Sequence, residues 1–131
     1  MAAWVLMSGL DDREVLLEED LARAESCWTC DRRTLVGDRL YIYCRAPVSS
    51  IFAQGIAAGP PFILDDPGSE WNGSWMVMIE KLELCSSISM QTLRAVFPEW
   101  RRLWYFVGRA KLVPGHIEDL LQKLVHEDFG T

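Results

Sequence analysis

Short apolar runs alternate with polar or glycine-rich breaks along this chain, and their spacing predicts its elements. Residues 3–7 (Ala-Trp-Val-Leu-Met) are apolar without interruption, as in a strand buried on both faces. Ser8-Gly9 ends that run. Asp11 then offers an N-cap with Glu14 three places on. Leu17, Leu21 and Ala24 follow at helical intervals, with Glu18, Glu19 and Asp20 toward water. A tight turn at Gly37-Asp38 feeds a strand over residues 39–44, where Leu40, Ile42 and Cys44 alternate with Arg39, Tyr41 and Tyr43. Residues 47–50 read as a turn and 51–57 as a strand. The partner of that strand is expected at 75–84, which carries Val77, Ile79, Leu82 and Leu84.

Ser89 is placed to cap a helix through Leu93 and Val96 that Pro98 stops. Residues 103–107 (Leu-Trp-Tyr-Phe-Val) fit either a strand or a buried turn of helix. Pro114-Gly115 opens a last helix, with Ile117, Leu120, Leu121, Leu124 and Val125 forming an amphipathic stripe. Neighbouring strands joined by short loops pair antiparallel. The pattern therefore predicts an α+β pseudobarrel of about five mostly antiparallel strands with about three flanking helices, in a single domain over residues 1–131.

Composition changes this picture little. With 131 residues, half of them hydrophobic, the chain can build its own core. Its apolar runs are too short to cross a bilayer, and Met-Ala-Ala-Trp lacks the layout of a signal peptide. A cytoplasmic protein, or a piece of a larger one, is expected, without membrane association.

Charge narrows the function classes further. The net charge of −6 argues against broad electrostatic binding to nucleic acid. It leaves room for a protein that grips one base and a few phosphates. The charges are also segregated: acids crowd residues 11–25, whereas Arg101, Arg102, Arg109 and Lys111 follow Glu99 closely.

Four cysteines stand at 27, 30, 44 and 85. Cys27-x-x-Cys30 has half of a zinc spacing but no second close pair, and no strand-then-helix unit surrounds it as in a redox dithiol. His116 and His126 accompany no nucleophile and acid, and no phosphate loop appears. Neither an enzyme nor a bound cofactor or metal is expected.

Two stretches carry the candidate chemistry. Residues 26–30 (Ser-Cys-Trp-Thr-Cys) set a tryptophan in what reads as a loop before the strand at 39–44, where it either plugs the sheet end or walls a pocket. The long Gly-, Pro- and Asp-rich segment 58–74 holds Trp71 and is closed by Trp75, and loops of that length in a compact domain are commonly functional. Trp4, Trp100 and Trp104 read as packing residues.

An opening strand and short helix, a tryptophan in a Trp-Thr context and Gly-Asp before a strand together resemble the EVE domains of the PUA-like superfamily. These are related to YTH and ASCH domains. The likeness spans roughly residues 4–83. In YTH-like readers a tryptophan at the position of Trp28 forms one wall of an aromatic cage around a methylated base. A Trp-x-Gly-x-aromatic run supplies the second wall, matched here by Trp71-Asn72-Gly73-Ser74-Trp75. The resemblance implies that Trp71 faces the base and Trp75 packs in the core. It departs from YTH where Asp66 replaces an expected aromatic, with Phe62 a conceivable substitute.

The implied function is a reader that captures a flipped or single-stranded methylated base of DNA or RNA between Trp28 and Trp71. Stacking contributes roughly 1–3 kcal/mol per base, enough for two walls to offset unstacking. Burying a methyl group adds only about 0.8 kcal/mol, so hydrogen bonds to the base edge must supply discrimination. Ser8, Asp12, Thr29 and the backbone around Cys30 are the candidates, Asp12 being equally suited to cap the first helix. Arg32 and Arg33 are the candidate phosphate contacts. The expected partners are modified DNA or RNA and an effector nuclease domain or protein in trans, the chain itself being monomeric. The alternative, from another class, is a protein-interaction or small-metabolite-binding module on the same fold, with Trp71 as anchor.

Overall fold

A computed structural model of the chain describes residues 2–9, 26–98 and 110–126. Within them lie strands β1 (Ala3–Ser8), β2 (Ser26–Thr29), β3 (Arg39–Cys44), β4 (Ser50–Ala57), β5 (Phe62–Ile63), β6 (Trp75–Ser89) and β7 (Lys111–Leu112). Helices α1 (Met90–Val96) and α2 (Gly115–His126) complete the described elements. The expected helix beginning near Asp11 and the apolar run 103–107 lie outside the described residues.

All seven strands belong to one sheet in the order β2-β6-β4-β3-β1-β7, with β5 also paired to β6. The pseudobarrel expectation holds in outline, with more strands and, among the described residues, two helices. The antiparallel expectation needs one correction. β1 runs parallel to β3, from Ala3↔Arg39 to Ser8↔Cys44. The reason is topological: about thirty residues, β2 among them, separate the two strands, and a connection of that length permits a parallel crossover.

The unbroken apolar run of β1 follows from its place in the sheet, for all six of its residues are buried. Ala3, Val5 and Met7 join Tyr41, Tyr43, Ile51 and Ile88 beneath the two helices. Trp4 and Leu6 project the other way, into a second cluster with Leu40, Ile42, Val77, Ile79 and Leu82 that fills the inside of the curl.

The curl itself comes from irregular pairing. On β6, Glu80 and Glu83 face Ile56 and Gln54, which leaves one residue in excess where Lys81 adopts a φ of 53°. A second irregularity separates Leu84 and Ile88, opposite Ala53 and Ile51. Bulges of this kind bend a strand and increase its twist. The same bend brings β6 against β4 so closely that a Cβ on Gly55 would stand 2.4 Å from Cγ2 of Ile79 and 3.2 Å from the Glu80 carbonyl.

Helix signals are obeyed. Ser89 caps α1, its hydroxyl accepting from the Thr92 amide at 3.1 Å. On α2, Ile117, Leu121 and Val125 are buried on one line, while Leu120 lies 43% exposed at the margin of the predicted stripe. Other expectations shift at element ends. β6 runs on to Ser89, and residues 26–29 are a strand, not a loop, because β6 supplies a partner that local pattern cannot reveal: Ser26↔Ile79 through Thr29↔Met76.

Asp38 fastens the start of the parallel pair. Its carboxylate is 2% exposed and accepts from the Ala2 amide (3.1 Å), the Trp4 indole N–H (3.0 Å) and the Leu35 amide (2.8 Å). Removing it strands three donors, and an unsatisfied buried donor costs about 1–3 kcal/mol. Urea unfolding of Asp38→Ala is therefore expected to show a loss of roughly 3 kcal/mol. Adding Trp4→Phe, which deletes one of those donors, costs less than the two single losses combined. Full additivity would mean that the carboxylate and the indole do not interact. Gly55→Ala is expected to cost about 1–3 kcal/mol by overpacking against Ile79, read in the same assay.

Candidate functional site

Among the described residues, the curled sheet does not close on itself. Its edge strand β2 stops beside β1, and between that edge and β1–β7 runs an open cleft of about 950 Å³. One wall is β2 with the following loop and the start of β6; the other is the end of β1, Arg45 and residues 110–112.

Trp28 joins the two walls. Its indole N–H donates to the Met7 carbonyl at 2.9 Å, and its ring packs against the inner core cluster while lining the cleft. Both sequence readings of this residue hold together: it plugs the gap in the barrel and presents a wall to the space outside. The register explains its direction. Trp28 is paired with Val77, a residue of the inner cluster, so the two side chains share a face.

Trp71 and Trp75 reach the same cleft from a compact turn. Leu64 and Ser74 pair through an amide-to-carbonyl bond of 2.9 Å, Gly73 donates to Leu64 at 2.8 Å, and the Asn72 side chain accepts from the Asp66 amide at 2.8 Å. Gly73 takes a φ of 82°, which a side chain would resist. Trp71 is 42% exposed and Trp75 38% exposed. The expectation that Trp75 packs in the core is thus corrected. It lies on the face of Val77 and Ile79 but begins the strand, beyond the end of the core that its neighbours fill. Phe62 pairs with Met76 and is exposed without lining the cleft.

The expected edge-reading residues are gathered here too. Ser8, Thr29 and Cys30 all line the cleft, whereas Asp12 lies outside the described residues. Several of their donors are already spent. The Ser8 hydroxyl donates to the Tyr43 carbonyl at 3.2 Å, and the Cys30 amide donates to the Trp75 carbonyl at 3.0 Å. Ser8 keeps acceptor capacity, and the Cys30 N–H drops out of the set of edge contacts.

Among the described residues, four cations line the cleft, Arg32, Arg33, Arg45 and Lys111, against one carboxylate, that of Asp31. In a chain of net charge −6 this is a basic site on an acidic protein. Arg33 is committed elsewhere. Its guanidinium binds both oxygens of Asp31 (3.0 and 3.1 Å) and lies 5.4 Å from the centre of the Trp4 ring, so it braces the loop that follows β2. That partner holds the Asp31 carboxyl below its usual range. Arg32 is exposed. Arg45 and Lys111 escaped the sequence reading because they fall at strand ends far apart in the chain. Only the pairing of Arg45 N–H to the Ser8 carbonyl (3.0 Å) and of Lys111 with Val5 assembles them.

The cysteine pair is not activated. Burial raises the Cys27 thiol and pushes Cys30 up to about 11, the opposite of what a reactive dithiol needs. Among the described residues no cluster of three or more His, Cys, Asp or Glu side chains is placed to hold a metal ion. Nor is any described helix long and apolar enough to cross a membrane.

No protein-family model matches the sequence, and neither does any curated protein. Solved structures do match the fold. A protein of Pseudomonas putida superposes with a TM-score of 0.73 at 19% identity, over 94% of this chain and 99% of the other. One of Pseudomonas syringae gives 0.73 at 16%, over 94% and 99%. The ASCH protein of Zymomonas mobilis gives 0.68 at 9%, over 93% and 94%. The chain therefore shares its fold with these proteins, the ASCH protein of Zymomonas mobilis among them.

The raised Cys30 thiol gives a direct test of this environment. A shift from 9.0 to about 11 leaves roughly 100-fold less thiolate near pH 8 than an ordinary cysteine carries. Iodoacetamide modification of Cys30, followed by peptide mass mapping, should be slower than for an unfolded control by that order. Because the folded pKa is raised, the linked stability is complete below pH 9 and declines as pH climbs from 9 toward 11. Modification at the control rate would mean an open, unburied thiol.

Proposed function

We propose that this protein is a modified-nucleobase reader of EVE type, capturing a flipped or single-stranded methylated base of DNA or RNA in the cleft beside β2. The observation that carries the proposal is the meeting of Trp28, Trp71 and Trp75 with four cations in one cleft of an acidic chain. Aromatic rings beside a basic groove suit single-stranded nucleic acid, since every base has a π-face and every linkage a charge. The PUA-like fold supports the same reading, and so does the Trp71-to-Trp75 run.

In this reading Trp28 and Trp71 stack on the base. Trp75 adds ring area at the mouth, and Ser8 and Thr29 meet the base edge. Arg32 contacts phosphate while Arg33 holds the loop. The chemistry is binding alone, and no residue is assigned a catalytic role.

A second reading has its own observation. Phe62, Ile63, Trp71 and Trp75 are exposed near one another on β5, the adjoining turn and β6, and exposed apolar groups of this size commonly mark a protein contact. On that view Trp71 anchors a protein partner.

Tryptophan fluorescence titration with single-stranded oligonucleotides carrying 5-methylcytosine, N6-methyladenine or neither separates the two. Saturable quenching by one modified strand is expected. Trp71→Ala, at an exposed position, should weaken it by about 5- to 150-fold, equivalent to the 1–3 kcal/mol of one stacked base. Trp28→Ala should abolish it, with circular dichroism confirming the fold. The expected salt slope in log–log form is about −1.4, for roughly two phosphates on a single strand. No response from any oligonucleotide, with the protein folded, defeats the reader assignment and leaves the protein-contact reading.

A further inference from the structure

The cations of the cleft stand on both of its walls. Arg32 belongs to the loop after β2, while Arg45 follows β3 and Lys111 lies on β7, across the gap. Arg45 is held at the end of β1 by its amide bond to Ser8, and Lys111 is held along β1 by its pairing with Val5. The two residues therefore stand on one rigid edge and line the cleft opposite the wall that carries Trp28 and Arg32. No salt bridge to a described residue engages Arg32, Arg45 or Lys111, unlike Arg33.

We infer that the cleft takes a nucleotide from within a single strand, gripping a phosphate on each side of the captured base: Arg32 on the β2 wall, Arg45 and Lys111 on the β1–β7 wall. This deepens the reader assignment and rests on it. A free nucleoside or a nucleobase would need no cation at all. A free mononucleotide would need cations at one place only. Charges on opposite walls of a groove suit a backbone that enters on one side and leaves on the other. The size agrees, since about 950 Å³ stands at the upper end of the roughly 300–1,000 Å³ of small-molecule pockets. The cleft thus has room for the neighbours of one base. Arg45 and Lys111 become phosphate-binding residues, and Arg33 becomes a positioning residue for the loop of Arg32.

The test compares three ligands on each of three proteins. The ligands are the modified nucleoside, its 5′-monophosphate and a five-nucleotide single strand with the same modified base at its centre, in 5-methylcytosine and N6-methyladenine versions. The proteins are the wild type, the double variant Arg45→Gln/Lys111→Gln, and Lys123→Gln. The last makes one similar charge change on α2, outside the cleft. For the wild type, the strand should bind at least tenfold more tightly than the nucleoside, with the monophosphate between them. The double variant should lose at least tenfold in strand affinity, and its salt slope should flatten by about 0.7, for the one phosphate that the two side chains share. Its nucleoside affinity should stay unchanged, which also certifies that the base pocket is folded. Lys123→Gln should match the wild type.

Equal binding of strand and nucleoside, or a double variant as good as wild type, overturns the two-sided grip while the base reader stands. An equal loss for strand and nucleoside also overturns it, since Arg45 and Lys111 would then be serving the pocket and not the backbone. Absence of binding by every ligand overturns both.

Discussion

The buried carboxylate of Asp38 is the constraint on which the rest of the sheet depends. Parallel pairing of β1 with β3 joins segments separated by a long stretch of chain, and closing such a loop carries an entropic cost that local contacts do not repay. Asp38 answers that cost at one point. It takes a backbone donor ahead of β1, an indole donor from inside β1 and a backbone donor from its own turn. Gly37, at a φ of 89°, donates to the Ala57 carbonyl, and Ala57 donates back to Asp38, so β4 is locked to the same corner. The Asp38 side chain and the backbone around it thereby hold three strands at one corner.

The register of β1 against β3 decides what stands at the opposite end of β1. With Ala3 opposite Arg39, Ser8 falls opposite Cys44 and the Met7 carbonyl reaches the edge where β2 approaches. Trp28 then spans the gap with a hydrogen bond that a one-residue slip would misplace, since the neighbouring carbonyl points the other way. The bulges on β6 bend the sheet far enough to bring these edges close without pairing them. The cleft is thus the remainder of incomplete closure, and its two walls inherit their rigidity from the sheet. A binding site built on strand ends in this manner is better ordered than one carried by loops alone.

Much of this was legible in residue order, and the failures share one cause. β1, β3, β4, the capped α1 and the stripe of α2 follow from local period, caps and turns. β2, β5 and β7 have four, two and two residues, and such strands exist only because another strand lies beside them. The same limit governs the site. Trp28 and Trp71 stood out because tryptophans in polar surroundings are conspicuous. Trp75 was misplaced because its alternation with Val77 and Ile79 points inward, and nothing local reveals that the core ends before it. Arg45 carries no local signal, and Lys111 stands out only as the last of a basic run, with nothing local to place it at the cleft. Arg33 had looked equivalent to Arg32, but Asp31 lies two residues before it, near enough to bind its guanidinium. That spacing is visible in the sequence.

On the proposed reading, the committed donors also limit how a base could be told from its relatives. Trp28 has given its N–H to Met7, so it offers a ligand only its ring, and a ring stacks on any base. Ser8 has given its proton to Tyr43 and Cys30 its amide to Trp75, which leaves Ser8 to accept on one wall and the hydroxyls of Thr29 and Ser74 on the other. A methyl group contributes about 0.8 kcal/mol by burial, less than tenfold in affinity. In a reader built this way affinity resides in stacking and phosphate contacts, and selectivity in a few acceptors and in shape. A group on the base that meets Ser8 with a donor satisfies it; one that meets it with a lone pair leaves two acceptors facing each other in a half-buried place. That second situation costs more than the methyl contributes. Discrimination therefore depends more on the polarity of the base edge than on the modification itself.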